Sequence, residues 1–469
     1  MTIEQIYTGC LAQGAYYIQS EGEAAIIDPL REVTPYIKKA AKDNATIKYV
    51  FETHFHADFV SGHLDLAEKT GATIVYGPKA VTHFDSHIAT DGEIFQVGKL
   101  KIRAIHTPGH TLESTCYLIF DENEKEYALF SGDTLFIGDV GRPDLAQKSD
   151  LTIDDLAGML YDSLNNKIKI LPDHILIYPA HGAGSACGKN MSKETSDTLG
   201  RQKESNYALR AETKEIFIKE VTEGLAMPPA YFPQNVMMNK NGYESFDSVL
   251  LQGMKKLSPA AFVTVAEVSD ALVLDTRKDG DYALGSVPGS INIGLSGQFA
   301  PWVGALIEDV HQPIILITEL GKEEETLTRL SRVGFDKVLG YLDGGFDAWK
   351  NNGREVDIIH RITHDEFANV YNTDSKVIDV RKVGEYTAEH VSEAYNKPLD
   401  VINDWFSTLD PTEHFFLHCA GGYRSMMAAS ILKSRGITNF TEVAGGFNAI
   451  RKTSVPTTDF ICQTKMVAV

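Results

Sequence analysis

Thr53-His54-Phe55-His56-Ala57-Asp58-Phe59 leaves an apolar run, Ile47 to Phe51, in a chain of 469 residues. Two imidazoles and a carboxylate at spacings of two residues, on a loop that follows a strand, can converge on one metal ion. The run before them reads as a strand, and similar segments recur at 15–18, 24–28, 73–76, 100–106, 114–120, 127–131 and 175–178. Helical periodicity intervenes at 33–42 and 64–70, and again at 153–164 behind the cap Thr152. Many strands with helices between them predict a two-sheet sandwich covered by helices over residues 1–240. Charged, helical sequence runs from Thr195 to Gly224, and Met227-Pro-Pro-Ala-Tyr-Phe-Pro233 reads as a tail or linker.

The length exceeds what one core can organise and predicts about three domains. A hydrophobic content of 43% with 23% charged residues is ordinary for a globular protein. The 44 basic residues against 64 acidic ones give a net charge of −20, which argues against nucleic-acid and anionic-membrane partners. No run of about 18 apolar residues predicts a membrane span, and the first residues lack the basic and apolar regions of a secretory signal. Five cysteines, Cys10, Cys116, Cys187, Cys419 and Cys462, are odd in number and scattered. They make no disulfide framework, and the expected compartment is a reducing cytoplasm.

Further ligand candidates follow the opening loop. His110 lies in Thr107-Pro-Gly-His-Thr111, Asp133 in Ser131-Gly-Asp-Thr134 and His181 in Pro179-Ala-His-Gly182. Each follows a predicted strand, so all can gather at one edge of the sandwich. The series resembles the metallo-β-lactamase superfamily, whose loop reads His-x-His-x-Asp-His, except that Phe59 stands at the last position. In the hydrolases of that superfamily two zinc ions share a carboxylate at the Asp133 position. The second ion needs the positions of Asp58 and His181 and the histidine that Phe59 replaces. Phenylalanine cannot ligate, so the second site is expected to be crippled.

What remains includes His54, His110 and Asp133, a 2-His-1-carboxylate set of the kind found in non-haem Fe(II) oxygenases. The residues alone leave open whether His56 also binds. A resemblance to the persulfide dioxygenase branch implies that His54, His110 and Asp133 are the ligands. His56, Asp58 and His181 then orient ligands and hold water. Arg142, in Phe136-Ile-Gly-Asp-Val-Gly-Arg-Pro143, matches an arginine of this family beside the metal. It either holds an anionic substrate or ties its loop to a backbone carbonyl. Cys187 is either a thiol near the substrate or a buried, inert residue.

The C-terminal half contains an internal repeat. Val273-Leu-Asp-Thr-Arg-Lys-Asp-Gly-Asp-Tyr282 aligns without gaps on Val377-Ile-Asp-Val-Arg-Lys-Val-Gly-Glu-Tyr386, and Asp343-Gly-Gly-Phe-Asp-Ala-Trp349 on Ala444-Gly-Gly-Phe-Asn-Ala-Ile450. The copies are expected at 255–357 and 358–469, and both resemble rhodanese domains. In the second, Cys419-Ala-Gly-Gly-Tyr-Arg-Ser425 puts a cysteine between an apolar strand and a helix. A nest of backbone N–H groups at a helix start stabilises a thiolate or an anionic persulfide. Gly421 and Gly422 let the backbone curl around the sulfur, and Arg424 adds positive charge at the rim. Four residues separate Cys419 from Arg424, a smaller cradle than the five of cysteine-dependent phosphatases, and this resembles sulfurtransferases. The first copy has Thr318 and Glu323 at these positions. It reads as an inactive rhodanese kept for packing, docking or assembly. Asp275–Arg277 and Asp379–Arg381 read as structural pairs.

The whole arrangement resembles bacterial persulfide dioxygenase–sulfurtransferase fusions. The implied fold class is α/β, an αββα metallo-β-lactamase sandwich followed by two rhodanese-like α/β domains. The implied chemistry is oxidation of a low-molecular-weight thiol persulfide by O2 to sulfite and thiol, with one Fe(II) per chain. Sulfur transfer at Cys419 to sulfite then gives thiosulfate, and a homo-oligomer is expected. Two rival readings differ in class. One is a zinc thioester hydrolase of the glyoxalase II type with an appended sulfur carrier. The other is a non-catalytic sulfur carrier or sensor.

Overall fold

The computed structural model describes residues 1–145 and 151–461, so Cys462 lies outside the described residues. It forms two compact units, Met1–Ser248 with Ser331–Gly334, and Val249–Leu330 with the residues from Phe335 onward. In the first unit, β1 (Thr2–Thr8), β2 (Gln13–Ser20), β3 (Glu23–Ile27), β4 (Thr46–Phe51), β5 (Thr73–Tyr76) and β6 (His87–Ile88) lie side by side in that order. β1 to β3 pair antiparallel, and β3 to β6 pair parallel. The helices Thr34–Lys42 and His63–Thr70 make the parallel crossovers that a sheet of this kind requires. The second sheet holds β7 (Ile94–Val97), β8 (Leu100–His106), β9 (Thr115–Phe120), β10 (Glu126–Gly132), β11 (Leu176–Pro179) and β12 (Asp197–Thr198), again in chain order. Here β10 and β11 pair parallel around the helix Ile153–Ser163.

The core sits between the sheets, where Tyr16, Ile18, Ile27 and Phe51 meet Ile102, Tyr117, Ile119 and Phe130. Alternate residues Ala15, Tyr17, Ala24 and Ile26 turn outward beneath the helix Thr34–Lys42. On the other side Cys116, Leu118 and Leu129 turn outward against Ala157 and Leu160 of the helix Ile153–Ser163. This is the expected αββα sandwich. Strands covered on both faces need apolar residues at every position, which is why they read as continuous runs. β1 escaped the sequence reading because it is partly solvated along its length, and β7 because its alternation of exposed and buried residues spans only Ile94–Val97. The stretch read as a tail or linker needs a correction: Tyr231 and Phe232 are buried, and the helix Phe232–Asn241 starts there.

In the second unit the repeats have one topology. β13 (Lys256–Leu257), β14 (Leu272–Asp275), β15 (Ile291–Asn292), β16 (Ile314–Ile317) and β17 (Val338–Leu342) form a parallel sheet of order β13-β17-β16-β14-β15. β18 (Arg361–Ile362), β19 (Val377–Asp379), β20 (Tyr395–Asn396), β21 (Phe415–His418) and β22 (Phe440–Val443) repeat it as β18-β22-β21-β19-β20. Thr318 and Cys419 each follow the central strand, at the carboxyl edge where parallel sheets place their ligand sites. Among the described residues no helix is long and apolar enough to cross a membrane.

Candidate functional site

The carboxyl ends of β4, β8, β10 and β11 deliver His54, His110, Asp133 and His181 to one edge of the sandwich. His54 Nε2 lies 3.8 Å and His110 Nε2 3.4 Å from Asp133 Oδ2. All three side chains are buried, and Oδ2 has no hydrogen-bond partner. The outer ring nitrogens are tied. His110 Nδ1 donates to the Arg142 carbonyl at 2.8 Å. Thr53 donates its hydroxyl proton to Asp28 Oδ2 at 2.9 Å and so accepts from His54 Nδ1 at 3.0 Å. Both rings therefore present the Nε2 lone pair toward Asp133 Oδ2. Three converging acceptors with no donor among them are an arrangement that a cation completes. Gly141 makes the approach possible: a Cβ there would stand 2.0 Å from the Asp133 carbonyl oxygen and 2.9 Å from His110 Nδ1.

The charges agree with this role. Burial, and then the neighbouring His56, hold His54 well below the usual imidazole range, so it is a neutral donor of electrons. Burial opposes ionisation of Asp133, but its neighbours, led by His181 at 2.8 Å from Oδ1, outweigh it and hold the carboxyl well below the usual range.

His181 bridges two carboxylates, with Nδ1 2.8 Å from Asp133 Oδ1 and Nε2 2.8 Å from Asp58 Oδ2. Cys187 joins Asp58 and His181 in a second group whose ligand atoms lie within 4.8 Å of one another. Phe59 brings no ligand atom to this side, and the Cys187 thiol, from a loop distant in sequence, stands within 4.8 Å of the ligand atoms of Asp58 and His181. Burial, with Asp58 and Asp133 nearby, pushes that thiol well up. Phe59 itself lies against the His56 ring at 4.2 Å. His56 faces away from Asp133, with Nε2 3.1 Å from Asp28 Oδ1 and 3.5 Å from Glu52 Oε2.

Arg142 has the geometry of the loop tie. It binds both oxygens of Asp144 at 2.6 and 2.7 Å and the carbonyls of Ala186 and Ala226 at 3.1 and 2.5 Å. Sequence reasoning missed Asn239, whose amide donates to the His56 and Phe59 carbonyls and accepts from the Ser61 N–H. It also missed Tyr231, whose hydroxyl reaches the Asp58 carbonyl at 3.3 Å. Nothing in an isolated asparagine or tyrosine signals such a clamp.

At the second candidate site Cys419 is buried, and Gly422 N–H points at its Sγ from 3.1 Å. Gly422 has φ +113°, a conformation that favours glycine. The amides of Phe447 and Asn448 grip the loop through the Cys419 and Ala420 carbonyls, which explains the Gly-Gly-Phe element. Arg424 is not a free rim charge: its guanidinium forms a bidentate pair with Glu385 at 2.6 and 2.8 Å. Gly421 lies open, with nothing near where a Cβ would stand.

The family model of the metallo-β-lactamase superfamily matches residues 8–181, and that of the rhodanese-like domain matches 262–352 and 363–453. Two probable hydroxyacylglutathione hydrolases of Schizosaccharomyces pombe are 33% and 36% identical over 162 and 160 residues, 34% of this chain in each case. Those matches span 59% and 58% of the relatives' own lengths. The crystal structure of a metallo-β-lactamase from Staphylococcus aureus subsp. aureus COL is 32% identical, covers 73% of this chain and 98% of its own, and has a TM-score of 0.64. ETHE1 from Myxococcus xanthus is 29% identical, covering 51% of this chain and 98% of its own at a TM-score of 0.44.

Proposed function

We propose that this chain, which belongs to the metallo-β-lactamase superfamily and carries two rhodanese-like domains, is a persulfide dioxygenase joined to a thiosulfate sulfurtransferase. Its substrates are a low-molecular-weight thiol persulfide, O2 and sulfite. Its metal is one Fe(II), held by His54, His110 and Asp133. The observation that carries this reading is the ligand inventory. Two imidazole nitrogens and one carboxylate oxygen converge, while Asp58 and His181 bind each other and His56 faces Asp28.

Three protein ligands leave positions for small molecules. Iron bound there would supply dioxygen activation and a place for the substrate sulfur. The chain's own groups orient the ligands: Thr53 and the Arg142 carbonyl fix the two rings, and His181 holds Asp133 by Oδ1 so that Oδ2 remains directed at the histidines. Phe59 and Phe136 flank the His181 ring and add apolar surface beside its ion pairs.

In the last domain the Cys419 thiolate attacks the outer sulfur of RSSH. The S–S bond breaks, and RS⁻ leaves and takes up the proton as RSH. Sulfite then attacks the outer sulfur of the cysteine persulfide, giving thiosulfate and restoring the thiolate. Gly422 N–H and the start of the helix Tyr423–Ser434 stabilise the sulfur anion, and the Arg424–Glu385 pair frames the rim.

A second reading has its own observation. The Asp58, His181 and Cys187 group could hold a further ion, and two zinc ions would suit a thioester hydrolase such as the S. pombe relatives are named for. Metal content and oxygen uptake with glutathione persulfide, after anaerobic reconstitution with Fe(II) or Zn(II), separate the two. One iron per chain with oxygen consumption and sulfite release is the expected result. Two zinc ions per chain, thioester cleavage and no oxygen uptake with iron would sink the dioxygenase.

A further inference from the structure

Ser425 has one hydroxyl proton and faces three acceptors. They are Glu442 Oε1 at 2.6 Å, the Gly422 carbonyl at 3.0 Å and Cys419 Sγ at 3.5 Å. An ionised Glu442 makes the shortest contact and takes the proton, and Ser425 then shows the sulfur only lone pairs. Glu442 lies buried on β22, with Oε2 2.7 Å from Arg361 Nε. Arg361, on β18, reaches Asp279 Oδ2 of the inactive repeat at 2.8 Å. The cysteine loop rests on the same chain of charges, since a Cβ on Gly422 would stand 3.0 Å from Arg361 Nη2.

Arginine donates and never accepts. Whatever stands at position 442 must turn an oxygen toward Arg361. An uncharged group there, a protonated glutamate or a glutamine, therefore turns its donor toward Ser425. Ser425 then accepts, and its own proton is released. The Gly422 carbonyl already takes the Met426 amide, so a charged sulfur is the stronger remaining acceptor.

We propose that Glu442 is a positioning residue for sulfur transfer, steering the Ser425 proton away from or onto the Cys419 sulfur, and that Asp279 of the inactive repeat anchors it through Arg361. The inference rests on the reading of Cys419 as the sulfur carrier. The charged groups facing Glu442 are Arg361 on β18, Asp279 on the helix Asp279–Leu284 and, through Ser425, Cys419. Burial raises the Glu442 carboxyl to about 6, with Arg361 opposing and Asp279 assisting. Both arrangements are thus reached by a modest change in pH.

The test follows alkylation of Cys419 by iodoacetamide in the full chain across pH, read from the mass of its peptide. Glu442→Gln lowers the midpoint of that profile by about one pH unit, a tenfold change, of the size expected for one hydrogen bond to a charged group. In a Ser425→Ala background the same substitution lowers it by less than half as much, because only the lost charge remains. Ser425→Ala alone leaves the midpoint where it was. An equal shift in both backgrounds, or no shift in either, overturns the proposal. So does a rise of about one unit in Ser425→Ala, which would mean that Ser425 already donates to the sulfur. That last comparison decides the matter even if Glu442→Gln does not fold. Alkylation needs no sulfur donor, so failure of the sulfur-transfer reading appears separately, as absence of persulfide on Cys419.

Discussion

The two rhodanese-like repeats share a frame and differ in a loop. In the first, Arg277 grips both oxygens of Asp275 and the Gly285 carbonyl, and its guanidinium lies 4.1 Å from the centre of the Phe346 ring. In the second, Arg381 grips Asp379 and the Glu389 carbonyl and stands 4.1 Å from the Phe447 ring. Asn292 and Asn396 bond the same two carbonyls of their strand ends. The loops diverge. Where Gly422 N–H points at a cysteine sulfur, Gly321 N–H donates to the Glu323 carboxylate at 3.2 Å. Thr318 reaches the same oxygen at 3.3 Å. The first loop thus supplies its own anion to the place where the second loop holds the Cys419 sulfur. A parallel sheet and its buried ion pair are kept in both copies because packing needs them, whereas a loop at the sheet edge is free to change.

The largest expected effect is Cys419→Ser, which reduces thiosulfate formation from persulfide and sulfite to background while oxygen uptake at the first site continues. Loss of both activities would break the modular reading. Next, in that background, Thr318→Cys alone gains only a trace of persulfide by mass, because Glu323 occupies the nest. A carboxylate about 4 Å from an anionic sulfur costs about 4 kcal/mol at an effective dielectric of about 20, less with solvent screening. Thr318→Cys with Glu323→Arg should therefore gain persulfide more than tenfold over the single change. Equal labelling would show that the charge is not what silences the loop.

The shared frame makes an even-handed prediction. Asp275→Ala and Asp379→Ala each strand a buried guanidinium and should each destabilise their unit by about 3–5 kcal/mol in denaturant unfolding. A loss confined to one repeat would show that the frames are not equivalent.

The smallest effect concerns Glu442, opposite which the first repeat has Tyr341. A carboxyl raised from 4.5 to about 6 by burial binds its proton more tightly when folded. Its stabilising contribution is complete below pH 4.5 and is lost as pH rises through about 6, a change of about 2 kcal/mol. The difference in unfolding free energy between Glu442→Gln and the unsubstituted chain should change by that amount between about pH 4 and pH 7. A constant difference would remove the pH sensitivity from the comparison.

Much of this was readable from the chain alone. Apolar runs marked the covered strands, His54, His110, Asp133 and His181 each followed one, and a gapless repeat exposed the two copies and the loop in which they differ. These features are local: a strand buried on both faces, a cysteine before a helix and a duplicated segment write themselves in consecutive residues. Tertiary structure decided the partnerships. It turned His56 toward Asp28 and Glu52, brought Cys187 to Asp58 and His181, locked Arg142 to Asp144 and Arg424 to Glu385, and set Asn239 beneath the opening loop. Most of these pairs join residues far apart in sequence, and their choice depends on which buried polar atoms packing leaves to be satisfied. No spacing rule along the chain records that choice.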